Sequence, residues 1–292
     1  MTDRSPVLLS VLRLCRIGAW FSPAADVLAG AAVTQIPFSS EVARAMIASV
    51  ALYGAGMVWN DFADLKEDQR QRPERPLASG ALPRWFAAFL GLALLAGGLA
   101  ASPCRQHHGL IAVLILFYDF LGKRLEWLGA INMGLLRALN LSTGLFLITA
   151  ERGLPDEARR ALLIAALCYG IYIVAVTVIG IFEDTPAVSA RAVATMQAAP
   201  PIIGFAGIAA VQGSMWPAPT IAALPALWFL RRNARISEWP QAAVRQSMLY
   251  LLLGTMLYTS LLSLAAGSWP AALGIAAAIP AARLIARKIA LS

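Results

Sequence analysis

The sequence predicts an all-α, polytopic membrane protein of about ten spans, and three observations predict it. Hydrophobic residues fill 59% of the 292 positions and charged residues only 14%, against about 25% charged in a soluble domain. The chain also divides into ten apolar runs near the length that a bilayer requires, roughly twenty residues each. The third observation is that lysine and arginine gather on one side when those runs are threaded alternately, as cytoplasmic loops demand.

In chain order the candidate spans are 17–35, 42–60, 84–102, 108–122, 129–150, 159–182, 192–213, 216–231, 245–267 and 269–288. The fourth and eighth are short. Only Gly267 and Ser268 separate the last two, so a tight helical hairpin is expected there. Pro200 and Pro201 are expected to kink the seventh, because proline removes a donor and crowds the preceding turn. No internal repeat or low-complexity tract divides the chain, and residues 1–292 read as a single domain.

With the N-terminus inside, eighteen of the twenty-four Lys/Arg residues fall in inner segments and five in outer ones, with Arg137 inside a span. This places the protein in the inner, cytoplasmic membrane with its polar loops facing the cytoplasm. The net charge of +8 then belongs to those loops and calls for no nucleic acid. Cys15, Cys104 and Cys168 make no spaced pair, which argues against a disulfide framework or a zinc site. Arg13 and Arg16 interrupt what would be the apolar core of a cleavable signal peptide, so none is expected. His107 and His108 fall on the far side and read as surface residues.

The most informative stretch follows the second span and reads WNDFADLKEDQRQRPERPLASG, residues 59–80. Asn60, Asp61, Asp64 and Asp68 arrive where the chain turns polar. If the helix continues past the membrane edge, positions 61, 64 and 68 lie within roughly 60° of one face. Three carboxylates so placed repel one another unless a cation neutralises them. Oxygen ligands suit a hard ion such as Mg²⁺, which keeps several waters and bridges to phosphate. Lys66, Arg70, Arg72 and Arg75 follow, and arginine forks match phosphate oxygens. The pattern suggests a site for a magnesium-bound diphosphate; the plainer alternative is a solvated, salt-bridged loop.

Charges within spans are costly and are candidates for function. Asp26 lies midway along the first span and Asp119 near the end of the fourth. Asn132, Arg137 and Asn140 lie in the fifth, where Met133, Arg137, Asn140 and Gly144 recur at helical spacing. Arg137 with Lys123 and Arg124 could receive phosphate charge. Alternatively, Arg137 pairs with Asp26 or Asp119 to hold the bundle together. After the sixth span, Glu183 and Asp184 are adjacent acids that diverge by about 100° on a helix. One could complete a second cation site while the other caps the next helix.

The run Asn60-Asp61-x-x-Asp64-x-x-x-Asp68, followed by Arg72-Pro73-x-Arg75-Pro76-Leu77-x-Ser79-Gly80, resembles the first signature of the UbiA superfamily of intramembrane prenyltransferases. Tyr118-Asp119 with Lys123-Arg124, then Gly129, Asn132, Gly134 and Arg137, resembles that family's next block. The resemblance covers roughly residues 10–265. It implies a bundle of nine to ten transmembrane helices around a central cavity open to lipid. It also implies Mg²⁺-dependent transfer of a prenyl group from a prenyl diphosphate to a small-molecule or lipid acceptor.

By that resemblance Asn60, Asp61, Asp64 and Asp68 would hold Mg²⁺, with Glu183 and Asp184 at a second site. Arg72, Arg75, Tyr118, Asp119, Lys123, Arg124, Asn132 and Arg137 would hold the substrate; Asp61, Asp64, Arg72, Lys123 and Arg137 would carry the chemistry. The adjacent acids at 183–184 depart from the spaced aspartates of the usual second signature, which looks more like the EboC-type branch. An intramembrane terpene cyclase, or a binding or transport protein without chemistry, would share the first signature.

Overall fold

The computed structural model describes residues 7–147, 153–181, 190–211, 217–236 and 239–291. Among them the chain is helical, with no strand. In order the helices are α1 (Val7–Leu14), α2 (Phe21–Val33), α3 (Ser40–Ala63), α4 (Leu65–Gln71), α5 (Arg84–Ala101) and α6 (Arg105–Phe120). They continue as α7 (Glu126–Leu141), α8 (Asp156–Ile181), α9 (Ala190–Ala209), α10 (Pro217–Ala234), α11 (Gln241–Ala265) and α12 (Trp269–Leu291). Short 3₁₀ turns at Ile17–Ala19, Gly122–Arg124 and Ser142–Phe146 join some of them.

Each of the ten apolar runs carries one helix. The short helices α1 and α4 are additional, and both border the charged end of the bundle. Among the described residues five helices are long and apolar enough to cross a membrane, or six if α1 and the segment Ile17–Val33 count as one span bent by 44°. The protein is thus an integral, multi-pass membrane protein. Helix α9 runs through both Pro200 and Pro201.

Contacts between helix ends fix two opposite faces of the bundle. At one end Arg44 of α3 bonds the Ala101 carbonyl closing α5, at 3.0 Å, and Gln35 after α2 bonds the Ala266 carbonyl after α11, at 2.7 Å. At the other, Asp64 after α3 meets Lys123 after α6, at 2.6 Å, and Arg13 of α1 bonds the Ile289 carbonyl of α12, at 2.8 Å. This second end is the charged mouth.

Without a strong hydrophobic drive between helices in lipid, close packing at small residues holds such bundles together. Gly134 on α7 meets Gly170 on α8 so closely that a Cβ at 134 would lie 2.5 Å from the Gly170 carbonyl oxygen. Gly30 on α2 and Gly144 repeat the arrangement, with a Cβ at 144 reaching 2.5 Å from the Gly30 oxygen. Large apolar side chains such as Trp85, Phe89, Val113 and Leu167 stay exposed on the outside, where lipid would cover them.

His107 and His108 are not surface residues: both are buried. His108 Nδ1 shares a 2.6 Å hydrogen bond with Ser102 Oγ. His107 bonds the Leu139 carbonyl through Nε2 at 2.9 Å and stacks on Phe146. The first turn of α6 tucks under α7 at the far end, which polarity alone did not indicate.

Substituting Gly134 by leucine should force α7 and α8 apart, at a cost of about 1–3 kcal/mol. Gly97→Ala, where nothing lies within 4 Å of the new Cβ, should leave the melting temperature in detergent unchanged. Similar melting curves for both variants would contradict the close crossing.

Candidate active site

A cavity of about 390 Å³ opens near the charged mouth among α2, α3, α6 and α7. Its deeper wall is mostly apolar, formed by Leu52, Ile111, Ile115, Met133 and Leu136, with Ser49, Tyr53 and Asn140 among them. Its polar rim carries Asn60, Asp64, Arg72, Arg75, Tyr118, Asp119 and Lys123, and Arg16 and Arg137 also reach it.

The local chain path explains how these groups are dealt out. Helix α3 does not continue through the acidic run. It stops at Ala63, and Asp64 caps it with φ −90° and ψ 4° before α4 begins. The expected single face of three carboxylates is therefore split. Asp64 points to the cavity and receives Lys123 Nζ at 2.6 Å, while Asn60 Oδ1 accepts from the same ammonium at 3.3 Å. Asp61 and Asp68 turn instead to Arg75, whose Nη1 bonds Asp61 Oδ1 at 3.2 Å and Asp68 Oδ2 at 2.7 Å. Arg16 adds a second guanidinium to Asp61 at 3.0 Å. Two buried acids and two arginines thus lock the 72–76 turn against α3 and the start of the chain. Arg16 is held there with φ 49°, a left-handed conformation that costs a non-glycine residue about 1–3 kcal/mol.

Arg137 takes the alternative role weighed from the sequence: it pairs with Asp26. Its two terminal nitrogens bind both carboxylate oxygens, at 3.0 and 3.1 Å, and Nη2 also donates to Ser22 Oγ at 2.5 Å and to the Tyr169 hydroxyl. Tyr169 donates to Asp26 Oδ1 at 3.0 Å, and Asn140 Nδ2 to Asp26 Oδ2 at 2.9 Å. The network fastens α2, α7 and α8 behind the cavity.

Two other expected substrate ligands lie elsewhere. Asn132 is buried between α6 and α7 and donates to the Leu114 carbonyl at 3.2 Å. Arg124 is exposed and does not line the cavity. Asp119 lines it and keeps Oδ2 without a hydrogen-bond partner among the described residues. Glu183 and Asp184 lie outside the described residues. Arg16, Ser22, Asp26 and Tyr169 are the participants that sequence reasoning did not assign to the site. Asp26 carries a signal as a mid-span acid, but Arg16 stands out only as an inner-side charge, and nothing in the sequence singles out Tyr169.

Among the described residues no group of three or more acidic, histidine or cysteine side chains converges as a metal cage. Asn60 and Asp64 nevertheless hold a cation between oxygen atoms, the ammonium of Lys123. That donor set fits Mg²⁺, which takes one or two protein oxygens and fills the rest of its shell with water and phosphate.

Fold and site together define an intramembrane helical bundle with a charged cavity that deepens into an apolar chamber. Residues 21–190 match the UbiA prenyltransferase family, more than half of the chain, and the protein belongs to that family. It is 33% identical over 121 residues to a digeranylgeranylglyceryl phosphate synthase of Ignicoccus hospitalis, a match spanning 40% of this chain and 39% of that relative. The fold is similar to the apo structure of a UbiA homolog from Aeropyrum pernix, with a TM-score of 0.65 at 21% identity over 82% of this chain and 94% of that one. It is also similar to a UbiA homolog from Archaeoglobus fulgidus bound to GPP and Mg²⁺, with a TM-score of 0.57 at 14% identity over 87% and 99% of the two chains. At these identities the structural likeness is one of fold.

The Arg137–Asp26 pair can be tested by cutting one side of it. Asp26→Asn leaves a guanidinium unpaired in the bundle and should cost about 3–5 kcal/mol. A joint Asp26→Leu and Arg137→Met change should recover most of the melting temperature. If the single variant melts like the parent protein, the pair does not hold the bundle.

Proposed function

We propose that this protein is a Mg²⁺-dependent intramembrane prenyltransferase that moves a prenyl group from a prenyl diphosphate to a small-molecule or lipid acceptor and releases diphosphate. The observation that carries the reading is the cavity itself: cation-holding oxygens and basic side chains at its rim, an apolar chamber behind. The family membership supports it, as do the relative's name and the GPP and Mg²⁺ of the archaeal neighbour.

In this reading Asn60 and Asp64 give their oxygens to the metal, and Lys123 exchanges Asp64 for a diphosphate oxygen. Arg72, exposed at the rim and without an ion-pair partner among the described residues, is free to clamp the diphosphate. Bound Mg²⁺ supplies positive charge that offsets the charge developing on the departing diphosphate. Lys123 and Arg72 stabilise that same charge once they close on the diphosphate, and electrostatic stabilisation of this kind is commonly the largest catalytic term. Leu52, Ile111, Ile115 and Leu136 seat the prenyl chain and keep water from its allylic carbon. Tyr118 and Asp119 face the same space and would meet the acceptor. Asp61 and Asp68 act one step back, through Arg75. Glu183 or Asp184 would serve a second metal.

The same reading makes residues 1–292 one domain of nine to ten spans, with the mouth facing the cytoplasm. A second reading, binding without chemistry, draws on the pairing of Asp61, Asp64 and Asp68 with basic side chains.

Purified protein given Mg²⁺ and geranylgeranyl diphosphate should release diphosphate, and chelation should abolish the release. Asp64→Asn and Lys123→Ala should each lower it about 100-fold, and Asp68→Asn much less. A new prenylated product marks a transferase, a hydrocarbon or prenyl alcohol a cyclase or hydrolase. Saturable binding without release means a carrier and overturns the enzyme reading.

Orientation is tested separately. A reporter fused at Arg75 should report cytoplasm and one at Asp156 the opposite side. The same signal from both would refute the alternation.

A further inference from the structure

The second half of the bundle holds another opening, apart from the charged cavity. It lies among α8 to α12 and has a volume of about 280 Å³. Its walls are apolar, with Phe205, Ile208, Phe229 and Leu261 among them. Three tyrosines line it, and two of their hydroxyls are engaged: Tyr172 donates to the Leu251 carbonyl at 2.5 Å and Tyr258 to the Ala165 carbonyl at 2.8 Å, while the Tyr250 ring lies under Arg232. A slot lined mostly this way suits a hydrocarbon chain.

One edge of the slot is strongly basic. Arg283 lines the slot itself, and Trp228 is shared with an adjoining depression that carries Arg231, Arg232 and Arg235. Arg232 is fixed by Ser247 Oγ at 3.0 Å and Gln246 Oε1 at 3.0 Å, and lies over the Tyr250 ring. Arg231 and Arg235 are exposed. Among the described residues no carboxylate lies within ion-pair distance of Arg231, Arg235 or Arg283. Ala286, on the turn after Arg283, borders a recess shared with Arg16, Asp61 and Arg75. The basic edge therefore sits at the mouth end of the bundle.

A cluster of arginines at a membrane edge is explained by topology alone. Topology does not explain an apolar slot beginning at the same tryptophan. A single ligand with a negative head and a hydrocarbon tail fits both features, and basic clusters at this depth attract anionic headgroups. We propose that this region binds an anionic phospholipid, its phosphate on Arg231 and Arg235 with Arg283 at the slot, and one acyl chain inserted past Trp228. The site is separate from the diphosphate cavity and does not depend on the activity proposed above.

The test uses the full chain in detergent with phosphatidylglycerol or phosphatidylcholine, bound lipid being counted by native mass spectrometry. Chain insertion is followed by quenching of Trp228 with acyl-brominated phosphatidylglycerol, taking Trp228→Phe as the blank. Phosphatidylglycerol should bind in preference. The paired change Arg231→Gln and Arg235→Gln should weaken it tenfold or more, since each basic residue near an anionic lipid contributes about fivefold. Phosphatidylcholine binding should not change. Both substituted positions are exposed, so the fold should survive, and an unchanged melting temperature in detergent serves as the check. Ala222→Trp, which fills the slot, should abolish the quenching. The proposal fails if both lipids bind alike, if the arginine variant binds phosphatidylglycerol like the parent, or if inorganic phosphate at millimolar concentration displaces the lipid.

Discussion

The ion pair between Arg137 and Asp26 is the interaction on which the rest of this structure depends. A guanidinium deep in a membrane bundle is sustained only by a partner that answers its charge and its geometry. Here Asp26, wholly buried, supplies both oxygens, and Ser22, Tyr169 and Asn140 use the remaining hydrogen-bonding capacity. Once α2, α7 and α8 are held to that pair, their mutual approach is set. The glycine contacts at Gly134–Gly170 and Gly30–Gly144 then let the backbones come together. The cavity lies on the near side of the pair, so the network that fastens the bundle also forms the cavity floor.

The same logic of matched charge shapes the mouth. Nine closely spaced charged residues from Asp61 to Arg75 could not all face one space. The chain break at Asp64 sorts them into two sets. Asn60 and Asp64 stay with Lys123 inside the cavity, while Asp61 and Asp68 close on Arg75 and Arg16 behind it. The second set fixes the arginine-rich turn against α3, in addition to the turn's own bond from the Arg75 N–H to the Arg72 carbonyl at 3.1 Å. The strained backbone at Arg16 is the local cost of bringing a charge from the start of the chain to Asp61.

The bundle carries two amphipathic openings at one end. The first joins a cation-binding rim to an apolar chamber, and the second joins an arginine edge to an apolar slot. They share no lining residue. The charge balance distinguishes them: acids are interleaved with bases in the first, and the described edge of the second holds only bases. A metal-bound diphosphate suits the first balance and a bare anionic head the second.

The sequence by itself determined that the chain is a membrane bundle, because hydropathy over twenty-residue windows is a local property that packing does not alter. Each apolar run became a helix, including the short ones at 108–122 and 216–231. The family signature was equally legible, since it is written in consecutive residues. What a side chain is paired with is not local. The i, i+3, i+7 spacing of Asp61, Asp64 and Asp68 pointed to one shared face, and a single capping residue divided it. Arg137 could have met Asp26 or Asp119; only the packing of α2 on α7 decided for Asp26. His107 and His108, polar and close to a span end, looked exposed until α7 covered them. Arg16 and Tyr169 gave no signal at all, because their roles come from partners 45 and 143 residues away in the chain. Charge and polarity are legible along a sequence, but the partner that neutralises a charge is chosen by the tertiary fold.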